Sequence, residues 1–390
     1  MAASRGALDL SDLPVVDGHV HPPLPDPWAV SPEQFLDVFT EGRPGTMAEH
    51  VRHTGYFQRT LRELGQWFET PPTVEAVLER RRVVGPGVVR RAFAEARIAA
   101  LLLDTGYPPV AMPLEDVGGL LSCAVHEVFR VETCAQALLA RALPYEDFLG
   151  AFRGALVAAA QRCVAFKSVI AYRTGLAIRP WPSSEAEAAY AGALARLAAG
   201  GSPRLSDKAL LDTLFFITLE VATETERPVQ IHSGWGDPDV DLPAANPVLL
   251  RPIVEDPRWG AARLVLLHQA YPYVREAAFM SAVWPQVHVD LSLAIPFLGP
   301  GVVGPLIELL SLAPATKLMY GSDVHSLPEP IALSARWGRA ALVEALDWLM
   351  ARGGTTRDDA YAIGRRILAG NARALYRLEA PGRAATLVSP

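Results

Sequence analysis

Short apolar runs alternate along the chain with longer stretches in which apolar residues recur at helical spacing. This alternation is typical of repeated strand–helix units around a parallel sheet. The sequence therefore predicts an α/β fold, a (β/α)8 TIM barrel, as one domain over residues 1–390. The predicted strands are the run ending at His21, residues 98–103, 124–131 and 164–172, the runs before His232 and His268, residues 287–291, and the run ending at Asp323.

The longest helical stretch, residues 22–96, follows the first strand and is too long for an ordinary barrel loop. We interpret it as a helical insertion that forms a lid. Its first helix is expected to begin at Ser31-Pro32, a capping residue followed by proline, and a break is expected at Gly85-Pro86-Gly87. Further helices are expected over residues 133–161, 184–199 and 206–226, with Ser206 as a cap, and residues 331–390 are expected to form C-terminal helices.

Polar residues stand where five of the predicted strands end. They are His19 and His21, Lys167, His232, His268 and Asp323. Residues i and i+2 of a strand point to the same side, so His19 and His21 can share one ion. Barrel enzymes place their reacting groups at the C-terminal strand ends. Each cluster alone has an ordinary structural explanation, but the five together predict a site for a zinc-like divalent metal.

Composition narrows the functional class. The net charge is −6 and the basic clusters are short, which argues against a nucleic-acid surface. Three cysteines without short paired spacing argue against a disulfide framework. We found no signal-peptide pattern and no apolar run of about 18 residues, so a cytoplasmic protein without membrane contact is expected. The partner is expected to be a small-molecule substrate, and peripheral helices suggest a homo-oligomer.

Longer strings around these clusters resemble the amidohydrolase superfamily, within amidohydrolase-related family 2. The narrower resemblance is to the FluG-type module, which is fused to glutamine-synthetase-like domains in fungi and plants. It rests on strings that span nearly the whole chain: Phe166-Lys167-Ser168, Tyr172-Arg173-Thr174-Gly175-Leu176, His232-Ser233-Gly234-Trp235-Gly236-Asp237, Leu266-Leu267-His268, Tyr271-Pro272-Tyr273, Gly321-Ser322-Asp323 and Pro328-Glu329.

The resemblance implies the roles of the clustered residues. His19, His21, His232 and Asp323 would surround a divalent metal, with zinc expected ahead of manganese or iron. Asp323 would also act as a base toward a water whose pKa the ion lowers, and His268 would polarise the substrate carbonyl. Lys167 has two possible roles: a carboxylated ligand that bridges two ions, or a residue that binds a substrate carboxylate. One ion is the expectation.

Further charged residues are candidates for binding the substrate. Arg173 could clamp a carboxylate in a bidentate manner, or could instead form an ion pair with a barrel carboxylate. Asp237 and Asp241 flank the loop after the fifth strand, where a turn-forming role is the alternative. The full candidate set is Lys167, Arg173, Arg130, Glu132, Asp237 and Asp241.

The expected activity is metal-dependent hydrolysis of a C–N bond in an amide, with γ-glutamyl or other carboxylated amides as the substrate class that the resemblance suggests. One alternative is non-oxidative decarboxylation with the same ligands. Another is a catalytically silent metal-binding scaffold. The sequence does not separate the first two, because both use the same histidine and aspartate set.

Overall fold

The computed structural model describes residues 8–378, and eight parallel strands pair in chain order within it. All eight predicted strands are present, and the predicted barrel is confirmed. The strands are β1 Val15–Val20, β2 Ile98–Asp104, β3 Ala124–Arg130, β4 Ala165–Ser168, β5 Val229–Ile231, β6 Leu264–Leu266, β7 Val287–Asp290 and β8 Leu318–Met319.

The ring is completed by backbone hydrogen bonds between β1 and the segment that follows β8. The amide of Gly18 donates to the carbonyl of Tyr320 at 2.9 Å, and that of His21 donates to the carbonyl of Val324 at 2.9 Å. The backbone amide of Asp323 donates to the carbonyl of His19 at 2.8 Å. These bonds hold the segment after β8, with its polar residues, against the end of β1.

Two separate apolar clusters stabilise the barrel. The larger lies between the sheet and the surrounding helices. The smaller contains inward-facing residues such as Leu102, Ala165 and Met319, and it is closed at the base by Leu375 and Tyr376 near the C-terminal end of the described chain. The middle of the barrel interior is therefore packed with apolar side chains, and a layer of polar side chains lies above it at the upper end.

The insertion between β1 and β2 is helical, as expected. Ser31 caps its first helix in a capping box with Gln34, and Gly85, with φ of 63°, ends the fourth helix at the expected break. The five helices are α1 Pro32–Asp37, α2 Ala48–Val51, α3 Gly55–Trp67, α4 Val74–Val84 and α5 Gly87–Ala96.

The remaining helices surround the barrel, and the last three follow β8. The expected C-terminal helices are present up to residue 378, and residues 379–390 lie outside the described part of the chain. These helices are α6 Leu114–Leu121, α7 Val131–Leu139, α8 Tyr145–Ala160, α9 Ser183–Ala198, α10 Lys208–Thr225, α11 Arg251–Val254, α12 Val274–Val283, α13 Ala294–Leu298, α14 Val303–Leu312, α15 Glu329–Ala351, α16 Arg357–Arg365 and α17 Asn371–Leu375.

Several predicted boundaries were wrong. The single helix expected over residues 133–161 is two helices, because Pro144 lacks an amide proton and disfavours helical backbone before it. β4 ends at Ser168, and the chain then forms a 3-10 turn over Ile170–Tyr172. Ser206 is not a cap, since α10 begins after Asp207.

One apolar stretch was overlooked in the sequence. By length and composition alone, Ala294–Leu312 could cross a membrane, with a mean hydropathy of 1.6. In the structure it is divided into α13, a 3-10 segment over Gly299–Val302, and α14. α14 packs against α12 and α15 on the outside of the barrel.

Candidate metal centre

Alternation along the strands places the polar residues inside the upper barrel. Lys167 stands two residues after the inward-facing Ala165 on β4. Asp104 likewise stands two residues after Leu102 on β2, and successive residues at this spacing point to the same side. Both side chains are buried, with 2% and 0% of their surface exposed. The polar layer thus lies directly above the packed interior.

Three potential ligand atoms converge at this layer. Nε2 of His19 lies 2.9 Å from Oδ1 of Asp323, and Nε2 of His21 lies 3.2 Å from the same oxygen. Asp323 has a φ of 59°, a left-handed conformation that is uncommon outside glycine and recurs at functional sites. This conformation and the closing hydrogen bonds bring Asp323 over the end of β1.

The two β1 histidines are held by acceptors on their far sides. Oε1 of Gln230 lies 2.9 Å from Nδ1 of His19, while the Gln230 amide nitrogen donates to the carbonyl of Gly18. The backbone carbonyl of Asp104 lies 3.3 Å from Nδ1 of His21. These acceptors place the proton on each Nδ1 and leave each Nε2 as a lone pair, an assignment made from the hydrogen-bond network.

Electrostatics agree with a neutral His19. Burial and the nearby Lys167 ammonium lower the pKa of His19 to about 4. Three lone-pair atoms therefore face one another, two imidazole nitrogens and one carboxylate oxygen. Lone pairs at this separation repel unless a cation lies between them, so the donor set fits a divalent metal.

Lys167 and Asp104 border this group. Nζ of Lys167 lies 3.1 Å from Nε2 of His19, and burial lowers the Lys167 pKa to about 8. Asp104 accepts a bidentate hydrogen bond from Arg130, with Nε at 3.1 and 3.0 Å from its two oxygens. Two overlapping sets of ligand atoms lie within 4.8 Å of one another: His19 with His268 and Asp323, and His19 with His21 and Asp104.

His232 and His268 form a hydrogen-bonded pair beside these atoms. Nε2 of His232 lies 3.1 Å from the carbonyl of Trp235, and its Nδ1 lies 2.9 Å from Nε2 of His268. Nδ1 of His268 lies 2.9 Å from Oγ of Ser292, which in turn contacts Asp290. Both nitrogens of His232 are therefore engaged. It is His268 whose ligand atom lies within 4.8 Å of those of His19 and Asp323.

Close packing in the loop after β5 requires its glycines. A Cβ on Gly234, whose φ is 79°, would lie 2.2 Å from the carbonyl oxygen of Tyr271. A Cβ on Gly236 would lie 2.1 Å from the Tyr172 hydroxyl. The Tyr172 ring packs on His232 with centroids 4.0 Å apart. The glycines thus let this loop approach the barrel closely enough to hold His232.

A cavity of about 770 Å³ opens above the centre, between the barrel and the insertion. Four of the substrate-binding candidates line it: Arg130, Lys167, Arg173 and Asp237. Glu132 does not, because it is buried and accepts hydrogen bonds from Ser168 Oγ at 2.6 Å and the Val169 amide at 3.0 Å. Asp241 is exposed and outside the cavity lining.

Sequence reasoning missed several residues of the site. Asp104 and Gln230 could have been found, since each is in phase with inward-facing residues of its own strand. Glu41, from the insertion, and His325 also line the cavity, and the sequence offers no periodic signal for either. Their positions depend on how the insertion and the loop after β8 fold over the barrel.

Comparison with known proteins agrees with this architecture. The family model described as Amidohydrolase matches residues 16–378. The chain belongs to the amidohydrolase family. Protein fluG from Emericella nidulans is 34% identical over 235 residues, 58% of this chain and 27% of fluG, so the chain spans about a quarter of that relative's length.

Solved structures extend the likeness over nearly the whole amidohydrolase chain. A protein from Lactobacillus casei ATCC 334, described as a "putative metal-dependent hydrolase", superposes with a TM-score of 0.86 at 26% identity, covering 95% of this chain and 98% of that one. Uronate isomerase from Thermotoga maritima gives 0.66 at 15% identity, covering 94% and 95%. The second likeness shows the fold alone.

Proposed function

We propose that this amidohydrolase is a metal-dependent hydrolase that cleaves the C–N bond of a small amide bearing a carboxylate. The observation that carries the proposal is the convergence of His19 Nε2, His21 Nε2 and Asp323 Oδ1 at the floor of the cavity. The likeness to the Lactobacillus casei protein supports hydrolysis among the reactions of the family.

The residues present fit one divalent ion, for which we propose zinc. His19, His21 and Asp323 would hold it, with His268 within reach of the same atoms. Nitrogen and carboxylate donors on three separate segments match the ligand preference of zinc. When bound, such an ion acts as a Lewis acid that lowers the pKa of a water molecule and polarises a carbonyl.

The chain's own groups account for the remaining steps. Asp323 accepts a proton from the attacking water as its oxygen bonds to the amide carbon, and then delivers that proton to the leaving nitrogen as the C–N bond breaks. Lys167 lines the cavity as a donor toward the carbonyl oxygen, and the Arg173 guanidinium binds the carboxylate of the substrate. His268, whose ring nitrogens are engaged by His232 and Ser292, positions the His232 ring. The products are a carboxylic acid and an amine.

Asp323→Asn tests the proposed base. We expect kcat to fall by about 10²–10⁴-fold, because the amide does not accept the proton, with a much smaller change in KM. Amine release from carboxylated amides is measured at matched zinc content, with metal analysis of each preparation. Asp241→Asn, which removes an exposed carboxylate outside the cavity, is the matched control.

Chelation followed by zinc addition tests the metal. Activity should be lost and then restored. Turnover that survives complete metal removal, or an Asp323→Asn variant with undiminished kcat, contradicts the mechanism. Release of carbon dioxide from the carboxylated substrate, in place of an amine, would assign the site to decarboxylation.

A further inference from the structure

The cavity is lined by a basic and an acidic group that form no ion pair among the described residues. Arg173 is partly buried, and its Nε and one terminal nitrogen are inaccessible to water without a hydrogen-bond partner among the described residues. Glu41, on the insertion, is also partly buried and forms no hydrogen bond or ion pair within residues 8–378. Neither is paired with the other.

A partly buried guanidinium without an ion-pair partner carries a free-energy cost, which an anionic ligand in the cavity can offset. Burial and the nearby Arg204 disfavour the Arg173 guanidinium charge and lower its pKa. An anionic group that enters the cavity would lie against the Arg173 guanidinium, which lines it, and would stabilise its charge. This is why the carboxylate of the proposed substrate is placed at Arg173.

Carboxylates line the same cavity. Glu41 and Asp237 are both among its lining residues, and they interact electrostatically. Asp237 accepts a hydrogen bond from the backbone of Asp239 but forms no side-chain ion pair within residues 8–378, where Arg204 pairs with Asp239 at 2.8 Å instead. Burial, with the carboxylates of Asp323 and Asp237, raises the pKa of Glu41 to about 8. A cation beside Glu41 would stabilise its ionised form.

We propose that the substrate is a zwitterion, with its carboxylate held by Arg173 and its ammonium group held by Glu41 and Asp237. This inference rests on the proposed function for the position of the scissile bond, and it adds the charge pattern of the acyl part. Amides of amino acids that keep a free ammonium and a free carboxylate have this pattern. N-acylated amino acids lack the ammonium and should be poor substrates.

Three 4-nitroanilides that differ by one group each test the charge pattern. The γ-glutamyl amide has both charges, the glutaryl amide lacks the ammonium, and the 4-aminobutyryl amide lacks the carboxylate. With the zinc-loaded protein, we expect kcat/KM for the γ-glutamyl amide to exceed each single-charge analogue by about tenfold to a hundredfold, as for one charge-assisted hydrogen bond. Equal rates for the three would overturn the inference and leave hydrolysis standing.

Variants assign each charge to its residue. Glu41→Gln should bring the γ-glutamyl to glutaryl ratio to within about threefold of unity. Arg173→Gln should do the same for the γ-glutamyl to 4-aminobutyryl ratio. Glu49→Gln, which makes the same charge change at an exposed position of the same insertion, should preserve both ratios. Ratios unchanged in Glu41→Gln would remove Glu41 from recognition.

Binding without turnover separates the two proposals. Calorimetry on the zinc-loaded protein compares glutamate, glutarate and 4-aminobutyrate. Tighter binding of glutamate by about tenfold, with no amide hydrolysed, would support the zwitterion site and sink the hydrolytic function. Equal binding of the three, or binding of none, counts against the zwitterion site whatever the amides do.

Discussion

At the scale of single residues, the groups behind the ligands matter as much as the ligands. Gln230 is fully buried, and its amide has its donors and its acceptor engaged, by Gly18, the Tyr376 hydroxyl and His19. It therefore has one stable orientation, and that orientation fixes which nitrogen of His19 is protonated. A ligand whose tautomer is fixed in advance binds metal without paying for reorganisation.

Gln230→Leu should weaken zinc binding by about 10–100-fold, because His19 loses the acceptor that keeps its Nε2 free of a proton. Competition with a zinc-binding dye measures the affinity. Gln286→Leu is the matched control, since Gln286 is also a buried amide that bonds a backbone carbonyl, that of Val254, away from the site. Equal effects of the two substitutions would mean that the loss is general instability.

At the scale of elements, the insertion is joined to the barrel by a buried ion pair. Arg81 on α4 and Glu329 at the start of α15 are both fully buried. Nε of Arg81 lies 2.6 Å from one Glu329 oxygen and its terminal nitrogen lies 3.0 Å from the other. The same nitrogen donates to the carbonyl of Pro27 at 2.9 Å. This contact holds α4, and the segment before α1, against α15; Glu41 lies in the loop that follows α1.

Glu329→Ala should lower the free energy of unfolding by about 3–5 kcal/mol, because the Arg81 guanidinium is left buried and unpaired. Urea unfolding measures the change. Glu255→Ala, which breaks the exposed Arg251–Glu255 pair, should cost no more than about 0.5 kcal/mol. A loss below about 1 kcal/mol in Glu329→Ala would show that the guanidinium finds another partner or water.

At the scale of the whole molecule, the candidate ligands lie on both sides of the closing seam of the barrel. His19 and His21 belong to the end of β1, and Asp323 follows β8. An ion held by all three would add a bond across the place where hydrogen bonds to the segment after β8 complete the ring. Metal binding and barrel stability should therefore be coupled.

Zinc at one hundred times its Kd should stabilise the folded protein by about 2.7 kcal/mol, because it binds the folded state alone. Thermal unfolding of metal-free protein at buffered zinc concentrations measures the rise in Tm. Asp323→Asn should lose most of this rise, and Asp241→Asn should keep it. A Tm indifferent to zinc in the unsubstituted protein would contradict a metal at the seam.

Much of the fold and part of the site were predictable. Strand alternation located His19, His21, Lys167 and Asp323 at the strand ends, since a parallel barrel brings all C-terminal ends to one rim. It also contained Asp104, the last residue of β2, and Gln230, in the middle of β5, but neither was recognised as part of the site. Glu132 was a candidate for substrate binding because it lies near a strand end. That position in the sequence does not show that its side chain is buried behind the sheet.

The sequence by itself determined the barrel, the insertion and the set of polar strand ends, because hydrophobic periodicity and capping act locally along the chain. Tertiary structure decided the rest: which nitrogen of each histidine is free, how His232 pairs with His268, and where Glu41 lies. Each of these depends on contacts between segments far apart in the chain, and the local pattern of residues does not predict such contacts.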